Sequence, residues 1–241
     1  MEKRRYLLIH GAWHTARCWD LIVPRLKALG HEAEAIDLPA GRSASFPLGW
    51  KITIEDHIEA IVSAASQYKD PVTLVGHSMG GIMISAAAEK KPELFRQLVY
   101  LCAFLPKDGD SLMSLSQQDK GSKVQSVMSM SLLNGTSRIK GDASDVFYND
   151  CTPDMVELAH TLLVTEPGRP VLSKLQLTEE RFGTLPRSYI LCTEDQAITI
   201  DYQKQMLARQ ACDKTYTLNA SHSPFLSMPD ALVDALIEVS E

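Results

Sequence analysis

The ten residues Val72-Thr-Leu-Val-Gly-His-Ser-Met-Gly-Gly81 constrain the chain more than any other stretch. Val72 to Val75 read as a strand buried on both faces, and Met79 to Lys90 carry a helical pattern. Only Gly76-His77-Ser78-Met79-Gly80 surrounds the junction, so the strand must turn sharply into the helix. Small residues flank the serine because a strained turn brings its backbone close to neighbouring elements. Such a turn lifts the hydroxyl above the sheet. There it meets a helix N-terminus, whose dipole and unpaired N–H groups favour developing negative charge. This context makes Ser78 a candidate nucleophile for acyl transfer.

Short apolar runs alternate with helical segments along the rest of the chain. Strands are expected at Tyr6–Ile9, Ala33–Asp37, Val72–Val75, Leu98–Cys102, Ser188–Cys192 and Thr215–Leu218. Helices are expected at Asp20–Leu29, Ile54–Gln67, Met79–Lys90, Ile200–Arg209 and Asp230–Val239. Alternation of this kind predicts an α/β fold, a mostly parallel sheet with helices on both faces. A chain of 241 residues suits one such unit. The pattern breaks between about Pro106 and Phe182, a stretch with Met113, Met128 and Met130, several short helical patterns and no convincing strand. Residues 1–105 and 183–241 are therefore expected to form the core, and 106–182 a helical cap, or lid, inserted before the last strands.

Composition removes several function classes. The net charge of −6 and the scattered basic residues argue against nucleic acid. Cys18, Cys102, Cys151, Cys192 and Cys212 are widely spaced and form no Cys-x-x-Cys pair, so neither a disulfide framework nor a zinc site is indicated. No apolar run approaches the roughly 20 residues of a membrane span, and the N-terminal run is too short for a signal-peptide core. A cytoplasmic protein is expected. His10, His14 and His77 share no metal-site spacing and read as packing and loop hydrogen-bonding groups. No dinucleotide or Walker-type glycine loop is present, so no cofactor is expected.

A nucleophilic serine needs a base, and the base needs an orienting carboxylate. Two histidines follow Ser78: His160 lies in the expected cap, whereas His222 follows the last strand and can reach back over the sheet edge. His222 is the preferred base. The strand ending at Cys192-Thr193 leads into Glu194-Asp195, and either carboxylate could serve chemically. Two backbone donors are expected for an oxyanion, the N–H of Met79 and that of Ala12 in the loop His10-Gly11-Ala12-Trp13-His14.

These same residues resemble the α/β-hydrolase family of plant methyl esterases and hydroxynitrile lyases, with related bacterial esterases. The likeness is carried by LLIHGAWH, VGHSMGG, RFGTLPRSYILCTEDQAI and the loop around His222, and within the cap by Phe147-Tyr148-Asn149-Asp150-Cys151. It implies a compact core, a helical cap and no cofactor. The family's Cys-Thr-Glu-Asp motif assigns the acid to Asp195, giving Ser78, Asp195 and His222 as the triad, with Ala12 and Met79 as oxyanion donors. Gly11 stands where the lyases carry Thr, and Ser223 where they carry Lys; the lyase branch with Asn in place of Ala12 is not matched. The resemblance thus favours a carboxylic ester hydrolase for small, largely apolar esters, methyl esters among them. A carbon–carbon lyase and a non-catalytic binding protein on the same scaffold are the alternatives. The expected partners are a small-molecule ester and, at most, a second copy of the chain in a homodimer.

Overall fold

Continuous apolar runs need cover on both faces, and the chain supplies it by returning through a helix after almost every core strand. The computed structural model describes residues 2–39 and 48–241. In chain order it forms β1 (Arg5–Ile9), α1 (Ile22–Ala28), β2 (Glu32–Ile36), α2 (Leu48–Lys51), α3 (Ile54–Ala65), β3 (Val72–His77), α4 (Gly80–Lys90) and β4 (Phe95–Leu101). The chain then leaves the sheet for α5 (Leu112–Ser116), α6 (Val124–Val127), β5 (Met128–Ser131), β6 (Thr136–Ile139), α7 (Ser144–Phe147), α8 (Pro153–Leu162), β7 (Glu166–Pro167) and α9 (Arg169–Leu172). It re-enters with β8 (Arg187–Cys192), α10 (Ile200–Arg209), β9 (Lys214–Leu218), α11 (Pro224–Ser227) and α12 (Pro229–Ser240).

The six core strands pair in the order β2-β1-β3-β4-β8-β9, and every pairing is parallel. Alternate residues of each strand feed opposite layers. Leu7, Ile9, Leu74, Leu98 and Tyr100 pack with α3 and α4, whereas Tyr6, Leu8, Val75, Val99 and Leu101 pack with α1 and α12. Helix α4 is buried from Gly80 to Ala88, and its Gly, Ser and Ala residues let it lie close to the sheet. Strand order reverses direction at β1: the chain passes from β1 to β2 on one side, then to β3 on the other. In open α/β sheets, the crevice at the carboxyl ends of two such strands is where ligands bind. Here the loop after β1 and the turn after β3 meet at that point.

The expected strands and helices form within a few residues of their predicted ends. The largest difference is β4, which starts at Phe95 and not at Leu98. The polar Arg96-Gln97 pair hides this start. Gln97 is nonetheless buried, because its amide donates to Ser188 Oγ and to the Val239 carbonyl, both at 2.8 Å, tying β4 and β8 to α12.

The segment between β4 and β8 corrects the expectation of a purely helical cap. Alongside its short helices it contains a three-stranded antiparallel sheet in the order β5-β6-β7. Strands of two to four residues with partly polar faces give no periodic signal to read. The Asn134-Gly135 turn between β5 and β6, with Gly135 at φ 62°, is a hairpin device.

His10 locks the start of the loop after β1. Its Nδ1–H donates to the Gly11 carbonyl at 2.8 Å, and its Nε2 accepts the Leu38 N–H at 3.0 Å. Both contacts need the neutral ring, and burial pushes its pKa down to about 4. His57, buried in α3 and donating to the Pro39 carbonyl, is shifted in the same direction by the same cause. An unfolded imidazole titrates near about 6.5 and so takes up protons that the folded ring refuses. Stability from these groups is fully present above that value and is lost as pH falls through the folded value. His10 alone removes on the order of 3 kcal/mol by pH 4. Urea unfolding from pH 7.5 to 4.5 should show a midpoint that is level at first and declines below about pH 6.5; a flat profile would contradict this account. The elbow gives a second prediction. A Cβ on Gly76 would fall 2.7 Å from the Gly80 carbonyl, which is backbone and cannot swing aside. Gly76→Ala should lower unfolding free energy by about 1–3 kcal/mol, measured by the same denaturation.

Candidate active site

Ser78 sits between β3 and α4 with φ at 55°, the left-handed region that a non-glycine residue enters at a cost of roughly 1 kcal/mol or more. Backbone bonds hold it there. Its N–H donates to the Leu101 carbonyl at 3.3 Å, and its carbonyl accepts the Gly81 and Phe104 N–H groups, each at 3.1 Å. The turn leaves the side chain half-buried at one wall of a cavity of about 290 Å³. Its hydroxyl has no hydrogen-bond partner among the described residues.

Asp195 and His222 come from the loops after β8 and β9. The ladder between those strands continues past their ends: the Thr193 N–H donates to the Leu218 carbonyl at 3.0 Å and the Glu194 N–H to that of Ala220 at 2.9 Å. This brings His222 Nδ1–H within 2.7 Å of Asp195 Oδ2, with both residues buried. Asp195 Oδ1 accepts the Ala197 and Ile198 N–H groups at 2.7 and 2.8 Å, so the buried carboxylate is well supplied with donors. Glu194 is exposed and turned toward Thr193. The carboxylate left open by the residue chemistry is thus the one that meets the imidazole. His160 lies elsewhere, on α8 beside Asp142.

The His222 backbone is gripped from below. His77 Nε2–H donates to its carbonyl at 2.8 Å, and the Cys102 thiol approaches the same oxygen at 3.6 Å. The His77 ring lies 4.5 Å from the His222 ring. Burial, with the neighbouring His222 adding to it, pushes the His77 imidazole well below its ordinary range, so it is a neutral donor. His77, Cys102 and His222 could together offer a metal three ligand atoms within 4.8 Å of one another. Two of them are already directed at a carbonyl, which is a packing arrangement.

The loop after β1 lies against the elbow. A Cβ on Gly11 would come within 2.7 Å of Ser78 Cβ and 2.9 Å of His77 Nδ1, so only glycine fits this approach unless neighbours shift. Neither the Ala12 nor the Met79 N–H has an acceptor among the described residues. The next peptide is held on both edges. The Ala12 carbonyl accepts His14 Nδ1–H at 2.8 Å, and the Trp13 N–H donates to Glu166 Oε2 at 3.0 Å. His14 Nε2 in turn accepts the Tyr148 hydroxyl at 2.9 Å, and burial lowers its pKa to about 4, so it stays neutral.

Sequence reasoning missed the way the segment between β4 and β8 serves these loops. Phe147 lies 5.6 Å from the His222 ring, centroid to centroid. Tyr148 reaches His14, Asn149 Nδ2 donates to the Glu194 carbonyl at 3.1 Å, and Asp150 accepts the Ser221 N–H at 2.9 Å. Four consecutive residues therefore touch the three loops that carry Ala12, Asp195 and His222. Their resemblance to the family was the available signal. Glu166 had none.

The cavity is bounded on the core side by Ala12, Trp13, Ser78 and Met79, and opposite them mainly by apolar residues such as Met113, Met128, Phe147 and Val171. Among the described residues no Lys, Arg or His lines it. Asp119 is occupied by Thr199, through bonds of 2.8 Å to its N–H and hydroxyl. A larger groove of about 760 Å³ runs along β2 past Arg17, Lys27 and Glu32, away from these groups.

Residues 6–235 match the model of the Alpha/beta hydrolase family. Among similar proteins, methyl jasmonate esterase 1 of Vitis vinifera is 29% identical, with 100% of this chain and 99% of that protein covered. Salicylic acid-binding protein 2 of Nicotiana tabacum is 29% identical over 99% of this chain and 98% of its own length. The putative methylesterase 15, chloroplastic, of Arabidopsis thaliana is 27% identical over the whole of this chain, which spans 57% of that longer protein. In three dimensions the chain superposes on polyneuridine aldehyde esterase with a TM-score of 0.89 at 24% identity, covering 100% of both chains. It also superposes on a pyrethroid hydrolase from Sphingobium faniae JZ-2 at 0.88 and 24%, covering 98% of this chain and 97% of that one. With the parallel sheet, the elbow and the matched model in agreement, the chain belongs to the Alpha/beta hydrolase family.

Proposed function

We propose that the protein is a serine carboxylic ester hydrolase for small, largely apolar esters, methyl esters among them. One observation carries the reading: an Asp195–His222 pair at 2.7 Å packs against His77, the residue before the serine of a strained elbow, and that serine shares a cavity with Ala12 and Met79, whose N–H groups are unengaged among the described residues. The methyl jasmonate esterase among its relatives supports the substrate class. So does a cavity lined, among the described residues, largely by apolar side chains and by no Lys or Arg.

In this mechanism His222 Nδ1–H is fixed on Asp195, which leaves Nε2 as the base. Substrate binding brings Ser78 Oγ and Nε2 together, a contact that commonly tightens only in the complex. Nε2 takes the serine proton as Oγ attacks the ester carbonyl. The resulting oxyanion accepts hydrogen bonds from the Ala12 and Met79 N–H groups. Collapse breaks the acyl–oxygen bond, and His222 returns the proton to the departing alkoxide, releasing the alcohol. Water then enters, gives a proton to His222 and attacks the acyl-enzyme, and the acid leaves as Ser78 is reprotonated. The segment between β4 and β8 acts as a lid, placing Phe147 and the methionines over the site to limit bulk water.

Carbon–carbon cleavage is disfavoured at two positions. A threonine in place of Gly11 would collide with Ser78 and His77, and Ser223 is fully buried where a lysine would be needed. Release of p-nitrophenol from p-nitrophenyl butyrate should be readily measured, and Ser78→Ala should reduce kcat roughly 10⁴-fold or more. Adding His222→Ala to that variant should cost little further, because the two act as a unit. Full activity in Ser78→Ala would overturn the mechanism, and cyanide release from mandelonitrile by the wild type would move the reading to the lyase.

A further inference from the structure

Trp13 is the residue directly after the Ala12 donor, and its backbone is in the left-handed region at φ 61°. No glycine eases that conformation, so it persists only if the surroundings hold it. Every polar group of Trp13 is engaged, and each partner lies between β4 and β8. Its N–H donates to Glu166 Oε2 at 3.0 Å, its carbonyl accepts the Val164 N–H at 2.8 Å, and its indole Nε1–H donates to Ser137 Oγ at 3.0 Å. Glu166 and Ser137 are register partners across β6 and β7, so both side chains reach Trp13 from one face of the small sheet.

Glu166 also borders the cavity, but the one hydrogen bond of its carboxyl group among the described residues is to Trp13. It is buried at 1% exposure, and Oε1 has no hydrogen-bond partner. None of the ion pairs among the described residues includes it. A carboxyl group is costly to bury, and burial pushes its pKa up to about 8, so the Trp13 N–H is the one contact that repays the placement. That contact also decides which amide is available to a substrate. Two successive N–H groups, of Ala12 and Trp13, lie at the loop. Glu166 takes the second, and His14 holds the carbonyl of the intervening peptide plane. The Ala12–Trp13 peptide is thus fixed at both edges, and the Gly11–Ala12 peptide, which carries the Ala12 N–H, lies between that anchor and the His10 bond to the Gly11 carbonyl.

We propose that Glu166 is a positioning residue for the oxyanion hole: by accepting the Trp13 N–H, it holds the loop after β1 in the one conformation that presents the Ala12 N–H to a substrate carbonyl. The segment between β4 and β8 thereby completes the catalytic apparatus as well as covering it. This rests on the ester hydrolase reading given above.

The test compares Glu166→Gln, Glu166→Leu and Ser137→Ala with the wild type on p-nitrophenyl butyrate, with thermal midpoints recorded for each. Glutamine retains an oxygen acceptor for Trp13 and should keep kcat within about threefold. Leucine removes the acceptor and should lower kcat roughly 10²-fold, in the range for loss of one oxyanion donor, with KM nearly unchanged. Its affinity for an aryl trifluoromethyl ketone, whose serine adduct needs the oxyanion hole, should weaken in step with kcat/KM. Ser137→Ala removes the indole bond to Trp13, leaves the Trp13 N–H on Glu166, and should lower kcat far less than leucine does. Leucine with wild-type kcat, or equal losses in all three variants, overturns the proposal. Should the leucine variant not fold, amide hydrogen exchange in the wild type decides the matter: the Trp13 N–H should be protected and the Ala12 N–H should not, and a rapidly exchanging Trp13 amide overturns the proposal. A wild type inactive on every ester, with a protected Trp13 amide, would instead refute the hydrolase reading.

Discussion

The left-handed backbone of Ser78 is the constraint on which the rest of the structure depends. A residue with a side chain adopts φ near 55° only when its neighbours leave it no alternative. Here the constraint is spread over three elements: β4 supplies the Leu101 carbonyl, α4 the Gly81 N–H, and the chain after β4 the Phe104 N–H. Glycine at 76 and at 11 then becomes a packing requirement, because the elbow brings α4 onto β3 and the β1 loop onto Ser78 at distances no Cβ tolerates. The order of the strands follows the same need. Placing β1 beside β3 is what brings Ala12 and Met79 to one cavity.

The site separates two kinds of buried titratable group. His10, His14 and His77 lie in surroundings that favour the neutral ring, and each uses it to hold backbone: His10 the β1 and β2 loop ends, His14 the Ala12 carbonyl, His77 the His222 carbonyl. Of these four buried rings, only that of His222 is hydrogen-bonded to a carboxylate. Asp195 accepts two backbone N–H groups besides the imidazole, so its place is fixed from three sides.

The core was legible in the sequence because its strands are apolar on both faces and its helices are long enough to show a period. Helix α10 falls at Ile200–Arg209 as the pattern predicts. Where a core strand begins with residues that look exposed, as β4 does at Arg96-Gln97, the signal failed, since Gln97 is buried by virtue of partners 91 and 142 residues away. The choice of Asp195 over Glu194 was not available from residue chemistry either. It depends on which carboxylate the continued β8–β9 ladder turns inward, and the family likeness stood in for that geometry. Between β4 and β8 the strands are too short to carry periodicity, and the decisive contacts join residues more than 100 positions apart, such as Trp13 and Glu166.

That segment is commonly where a scaffold of this kind varies, since loops and inserts carry specificity while the sheet carries stability. Here its role divides along its length. Tyr148 reaches the Ala12 loop through the His14 side chain, and Asn149 and Asp150 reach the loops of Asp195 and His222 by bonds to backbone. Met113, Met128 and Val171 only shape the cavity wall. Substitution at the wall changes the shape of the cavity and leaves those loops where they are. Substitution at 148–150 disturbs the loops whatever the cavity holds. A single stretch of chain can therefore hold a fixed frame and an adaptable pocket, because the two tasks fall on different residues: polar side chains that end on the neighbouring loops, and flexible apolar ones that end in the cavity.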